Sequence, residues 1–190
     1  APDSAGAAAV PLLRPEAYHS SVLRLASDDT QLWTHFDVMD NALAQLTGRK
    51  RVVLWPPSED ANLYVEGSSS RVGCIDKWND DAFPRFRRAV STRREAVLGP
   101  GDVIFIPALW FHNVTSIGFS VALNVFWRSH HGHNQNHARA HSDVYGKDLY
   151  GNRDPPAATQ ALEQVAAAVA LLQRLPEPFC SFYASRASRK

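Results

Sequence analysis

Short runs of alternating apolar and polar residues, cut by glycines, prolines and acidic pairs, fill most of the first 127 positions. Alternation of period two places successive side chains on opposite faces, so each run predicts a half-buried strand. Residues 21–25 form the first run, and the pair Asp28-Asp29 predicts a turn after it. Residues 31–38 alternate again. Residues 41–47 predict another strand, closed by Gly48-Arg49, and residues 51–55 one more, ended by Pro56-Pro57. Proline cannot donate to a strand ladder, so the run stops there.

From 58 to 94 the pattern loosens. Residues 67–70 read as a loop, and residues 78–90 as holding one or two helical turns. Gly99-Pro100-Gly101-Asp102 predicts a tight turn. Strands at 103–106 and 120–127 follow, the second rich in Val, Phe and Trp. Short strands joined by turns predict a mainly β protein, a barrel or double-sheet jelly roll. The period then changes to helical: Ala158, Leu162, Val165, Val169 and Leu172 mark a helix over 157–175, with Pro155-Pro156 before it and Pro176 after it.

This pattern divides the 190 residues into a flexible N-terminus (1–20), a strand-rich core (21–128), a polar histidine-rich loop (129–156) and a C-terminal helical region (157–190). A length of this size predicts one domain with a terminal appendage. The 45% hydrophobic content excludes wholesale disorder. Net charge is only +1, so no global field announces a nucleic-acid partner, although Arg85, Arg87, Arg88, Arg93 and Arg94 crowd into ten residues. Cys74 and Cys180 are too few and too far apart for a disulfide framework, and fit a reducing compartment. No run reaches 18 apolar residues, so no membrane span is expected.

Candidate chemistry begins at His35-Phe36-Asp37. On a strand His35 and Asp37 share a face. With the distant His112 they make two imidazoles and one carboxylate, the facial set of non-haem Fe(II) oxygenases. A single His-x-Asp is common by chance, and a hydrogen-bonded core histidine is the alternative for His35. Lys50 lies fifteen residues beyond His35, at the start of the next predicted strand. If buried it needs an anionic partner, and a dicarboxylate cosubstrate would serve; a surface lysine between Arg49 and Arg51 is the alternative. Asn41 continues the face of Asp37. Asn124 stands among apolar residues and needs a hydrogen-bond partner, either a cosubstrate or backbone. His130, His131, His133, His137 and His141 could bind a second metal but read as a solvated loop. Phe83 and Phe86 could stack a base but read as core.

His35-Phe36-Asp37, Lys50, Gly101-Asp102 through Pro107, Trp110, His112 and Asn124 together resemble the JmjC class of 2-oxoglutarate oxygenases, over residues 22–127. Within that class, residues 31–41, 47–54 and 105–114 are similar to the tRNA wybutosine-synthesizing hydroxylases, as are 150–155 and 175–184 outside the core. The resemblance implies a double-stranded β-helix with a C-terminal helical appendage. It implies Fe(II) held by His35, Asp37 and His112, with 2-oxoglutarate contacted by Asn41 and Lys50, and Asn124 is a further candidate contact. It implies consumption of O2 and hydroxylation of the side chain of a wybutosine precursor in tRNA(Phe), by an intracellular, cytoplasmic homodimer. Family members carry further strands and a cosubstrate-binding tyrosine before the first catalytic strand. Only about thirty residues precede His35 here, and Tyr18 has no equivalent place, so that part of the family domain is expected to be absent. The motif alone also admits a protein hydroxylase, a lysine demethylase, or a shortened inactive binding or dimerisation module.

Overall fold

The structure, a computed structural model, describes residues 17–128 and 154–189. The expected flexible residues 1–16 and nearly all of the histidine-rich loop (129–153) lie outside the described residues. Eight strands run through the core: β1 Tyr18–Ala26, β2 Gln31–Phe36, β3 Asp40–Trp55, β4 Val65–Glu66, β5 Ser69–Ser70, β6 Arg94–Leu98, β7 Val103–Ile106 and β8 Phe111–Trp127. Among the described residues three α-helices accompany them: α1 Phe86–Thr92, α2 Pro156–Leu172 and α3 Phe179–Ala187. β1 thus starts inside the stretch expected to be flexible.

β3 and β8 organise everything else. They pair antiparallel along almost their full lengths, from Asp40 opposite Trp127 to Trp55 opposite Phe111. Residues 40–47 of β3 also pair with β7, and residues 50–54 with β6. The first part of β8 pairs with β2 and its last part with β1. Two layers result, β1–β8–β3–β7 and β4–β5–β2–β8–β3–β6, with both long strands passing from one layer to the other. Leu43, Ala122 and Ile106 of the first layer pack against Val52 and Leu98 of the second, so the interior between layers is a real apolar core. This is the jelly-roll architecture that the strand pattern predicts.

Two expected boundaries are corrected. The strands expected at 41–47 and 51–55 are one strand of 16 residues, because Gly48-Arg49 makes a bulge and not a turn. The strand expected at 120–127 begins at Phe111 and has 17 residues, so His112 lies on a strand and not beyond one. Where the strands cross, the backbones nearly touch at Gly48. Gly48 has φ +71, and a Cβ there would lie 2.1 Å from the Phe119 carbonyl oxygen. Gly118, across the corner, has φ +73 but open space around it.

The outer face of the β2–β6 layer is covered. Val53, Trp55 and Phe111 pack under Leu63, Val72, Ile75, Phe86 and Ala89, contributed by α1 and the segment before it. Trp55 anchors the cover by donating its indole N–H to the Ala89 carbonyl at 2.9 Å. Phe86 is fully buried, and Phe83 packs against the same cluster, so neither is an exposed platform. The outer face of the other layer leaves Leu23, Leu25, Leu46, Val103 and Phe105 exposed. α2 ends at Leu172, three residues before the expected 175, and α3 follows within the C-terminal region expected to be helical; neither helix buries a residue.

The corner geometry gives a paired prediction. Gly48→Ala must both hold a left-handed φ and move a carbonyl, and should cost on the order of 3 kcal/mol. Gly118→Ala meets only the φ penalty and should cost roughly 1–2 kcal/mol. Urea unfolding of the two variants compares them; equal losses would show that the close approach at Gly48 is not what holds the corner.

Candidate metal centre

The site is assembled by the β2–β8 pairing. His35 lies directly opposite His112 in that ladder, and their ring centroids are 4.2 Å apart. Asp37 follows the end of β2, so the chain has already left the ladder when it presents this carboxylate. Its Oδ2 lies 3.5 Å from His112 Nε2, and its Oδ1 lies 3.9 Å from His35 Nε2. One ligand atom from each of the three residues falls within 4.8 Å of the others, and all three residues are buried.

Each imidazole is oriented by the same local device. His35 Nδ1–H donates to the Trp33 carbonyl at 2.8 Å, and His112 Nδ1–H to the Trp110 carbonyl at 3.1 Å. A carbonyl can only accept, so the proton sits on Nδ1 and the Nε2 lone pair is left facing Asp37. Metal-binding histidines are typically held in this way, with the second nitrogen fixed by an outer partner. Burial pushes both imidazoles down to about 4. His112 lowers His35 further and Asp37 opposes the shift; at His112 the Trp110 carbonyl opposes it. Both rings are therefore neutral ligands at neutral pH.

A relay of amides steadies the carboxylate. Asn124 Nδ2 donates to Asn41 Oδ1 at 3.0 Å, and Asn41 Nδ2 donates to Asp37 Oδ2 at 3.3 Å. Both asparagines are buried, and the structure uses them, as seen, to hold Asp37. Two nitrogens and one carboxylate oxygen, pre-oriented and buried, suit a first-row divalent ion with coordination positions left open.

Lys50 enters the same interior from the middle of β3, not from the start of a strand. It is buried, and Nζ donates to Ser116 Oγ at 2.8 Å. Ser120 Oγ donates to the same Ser116 oxygen at 3.1 Å. Among the described residues no carboxylate forms an ion pair with Lys50. Burial, helped by the charge of Arg24, holds its pKa below the ordinary lysine value. Arg24 also bears electrostatically on both histidines. Ser116 and Ser120 are thus site neighbours that the sequence reading did not place there. Ser116 falls in the part of β8 that was not expected to be a strand, so no alternation pointed it inward.

The arginine cluster lies elsewhere and is partly spent. Arg87 pairs with Asp80 and Arg93 with Asp76, while Arg94 lies over the Trp110 ring. Arg51 joins Asp76 and Glu95 in the same network, tying the covering segment to β3 and β6.

Comparison with known proteins is informative at this point. A family profile described as a cupin-like domain matches residues 4–145. The chain is 47% identical over 173 residues to the tRNA wybutosine-synthesizing protein 5 of Danio rerio, covering 90% of this chain and 49% of that protein. It is 45% identical to the protein of the same name from Homo sapiens, covering 91% and 51% respectively. It is 36% identical to the tRNA wybutosine-synthesizing protein 4 of Gibberella zeae, covering 88% of this chain and 15% of that protein. The chain therefore spans about half the length of the first two.

The lowered imidazole pKa values fix a pH dependence. Between about 6.5 and about 4 the unfolded chain protonates His35 and His112 while the folded, metal-free chain does not. The unfolded state then binds more protons, so stability should fall as pH drops through that window. Chemical unfolding from pH 7 to pH 4.5 should show this slope, and His112→Gln should flatten it. A slope identical in the variant would mean that His112 is not held neutral by the fold.

Proposed function

We propose that this chain, which belongs to the cupin-like domain family, is an Fe(II)- and 2-oxoglutarate-dependent oxygenase that hydroxylates the side chain of a wybutosine precursor in phenylalanine tRNA. The observation that carries the chemistry is the convergence of His35, Asp37 and His112 in one buried cluster, with a buried lysine on β3 that among the described residues has no carboxylate partner. The observation that favours the substrate is the high identity to two proteins named for tRNA wybutosine synthesis.

His35, Asp37 and His112 would hold Fe(II), each through the atom already turned inward. With 2-oxoglutarate and O2 the bound metal supplies C–H hydroxylation, coupled to formation of succinate and CO2. The protein's share is positioning and exclusion of water. His112, Val114 and Ser116 alternate on one face of β8, so the histidine and the lysine-bound serine are separated by roughly 13 Å of strand. Lys50 would take the far carboxylate, and Ser116, which accepts from both Lys50 and Ser120, still has its own hydroxyl hydrogen to give. Asn41, with Asn124 behind it, holds Asp37 and has a second amide hydrogen for the cosubstrate. Arg24 adds positive charge where an anionic cosubstrate and an RNA substrate would enter. A cytoplasmic site of action accords with that substrate.

The deciding assay incubates the chain with Fe(II), ascorbate, 2-oxoglutarate and phenylalanine tRNA carrying the wybutosine precursor, then weighs the modified nucleoside by mass spectrometry. A gain of one oxygen, absent with Asp37→Ala, is expected. Lys50→Ala should raise the 2-oxoglutarate requirement roughly 10- to 100-fold, the worth of a charge-assisted hydrogen bond. Succinate without oxidised nucleoside would reject tRNA as substrate and favour a protein substrate. Neither product would reject catalysis by this chain.

We also propose that α2 and α3 join two copies of the chain. Leu162, Val165, Val169, Leu171, Phe179 and Phe182 are all exposed, and a helix of 17 residues gains little stability without a partner. Sedimentation should report a dimer that Val165→Glu combined with Val169→Glu dissociates. A wild-type chain that sediments as a monomer at micromolar concentration would refute this assembly.

A further inference from the structure

The triad is built from two pieces of chain, and strand pairing fixes only part of their relation. The ladder sets His35 opposite His112. Asp37 has left β2, and nothing in that ladder says where its carboxylate stands relative to His112. Two hydrogen bonds outside any strand join the two pieces. Ala108 N–H donates to Asp40 Oδ1 at 2.8 Å, and Leu109 N–H donates to the Asp37 carbonyl at 2.8 Å. Both donors lie in the loop of residues 107–110 that leads into β8. Trp110 N–H closes this loop onto the Pro107 carbonyl, and the Trp110 carbonyl then receives His112 Nδ1–H.

Leu109 shows that the loop is held and not merely placed. Its φ is +67, a left-handed conformation disfavoured for a leucine, and its side chain is 50% exposed, so core packing does not enforce it. Strained backbone of this kind persists where its surroundings over-determine it. Here the surroundings are the Asp37 carbonyl and the Asp40 carboxylate. Asp40 is itself fixed, as the first residue of β3, opposite Trp127.

We propose that Asp40 is a positioning residue of the metal centre: its carboxylate captures the 107–110 loop and thereby sets the distance between the His35–Asp37 arm and His112. The inference rests on the metal-centre reading above. It predicts that Asp40 governs metal affinity although it supplies no ligand atom. An outer partner of this kind typically changes metal affinity by about 10- to 100-fold when removed.

The test titrates the metal-free chain with Co(II), read by its visible absorption, and with Fe(II) without oxygen, read by calorimetry. Wild type is compared with Asp40→Ala, Asp40→Asn and Asp40→Glu, with far-ultraviolet circular dichroism confirming the fold of each. Asp40→Ala should bind metal about tenfold more weakly or worse, with an altered Co(II) spectrum. Asp40→Asn keeps an oxygen acceptor at the same place and should recover most of the affinity. Asp40→Glu keeps the charge but moves the acceptor by one methylene; it should bind weakly, and it decides the matter if Asp40→Ala does not fold. Wild-type affinity and spectrum in folded Asp40→Ala or Asp40→Glu would overturn the proposal, as would an Asp40→Asn no better than alanine. A wild-type chain that binds neither metal would instead overturn the metal-centre reading on which it depends.

Discussion

The close approach of β3 to β8 at Gly48 and Phe119 is the constraint from which the rest of the structure follows. Two strands of 16 and 17 residues stay paired while each passes from one layer to the other. Such a crossing forces backbone against backbone, and only a residue without a Cβ fits at Gly48, where a Cβ would lie 2.1 Å from the Phe119 carbonyl oxygen. The crossing creates two layers and an interior between them. It also means that one strand, β8, delivers His112 and Ser116 near one end and Asn124 near the other. A site that needs residues from distant sequence positions thus hangs on one backbone contact.

That interior combines two environments that would be unfavourable separately. Leu43, Val52, Leu98, Ile106 and Ala122 make an apolar core, and beside them lie buried His35, Asp37, Asn41, Lys50, His112 and Asn124. Burying polar groups is costly unless each finds a partner. The histidines give their Nδ1 protons to backbone carbonyls, the amides form a relay to Asp37, and Lys50 donates to Ser116. What remains unanswered is charge: a neutral pair of imidazoles beside a carboxylate, and a buried lysine without a carboxylate partner among the described residues. These two deficits are complementary to a divalent cation and an anion. Groups of this kind gain partners when a metal and an anion bind, which would link stability to binding.

The periphery follows a different logic. The β2–β6 layer is roofed by α1 and its preceding segment, pinned by Trp55 and by the Arg51, Asp76 and Glu95 ion pairs. The opposite layer and the C-terminal helices keep large apolar side chains in solvent. The basic residues that might be assigned to RNA on sequence grounds are partly used in this roof, Arg87 and Arg93 with aspartates and Arg94 against Trp110. Arg24 bears on the site itself.

The sequence by itself determined the strand class, the turn at residues 99–102, the long C-terminal helix, and the residue types able to hold a metal. Period-two and period-3.6 patterns are local, and so are proline and glycine punctuation, so a linear reading detects them. It misread Gly48-Arg49 as a turn because a glycine bulge inside a strand and a glycine turn between two strands look alike until the partner strand is in place. It passed over residues 111–119 of β8, and with them Ser116, because a corner there shifts the alternation. Only the tertiary structure decided that His35 stands opposite His112, that Asn124 reaches Asp37 through Asn41, that Lys50 meets Ser116, and that Asp40 grips the loop before His112. Each of these joins residues that are far apart along the chain. Their meeting is fixed by strand register and corner geometry, which depend on the whole fold and on no short stretch of sequence.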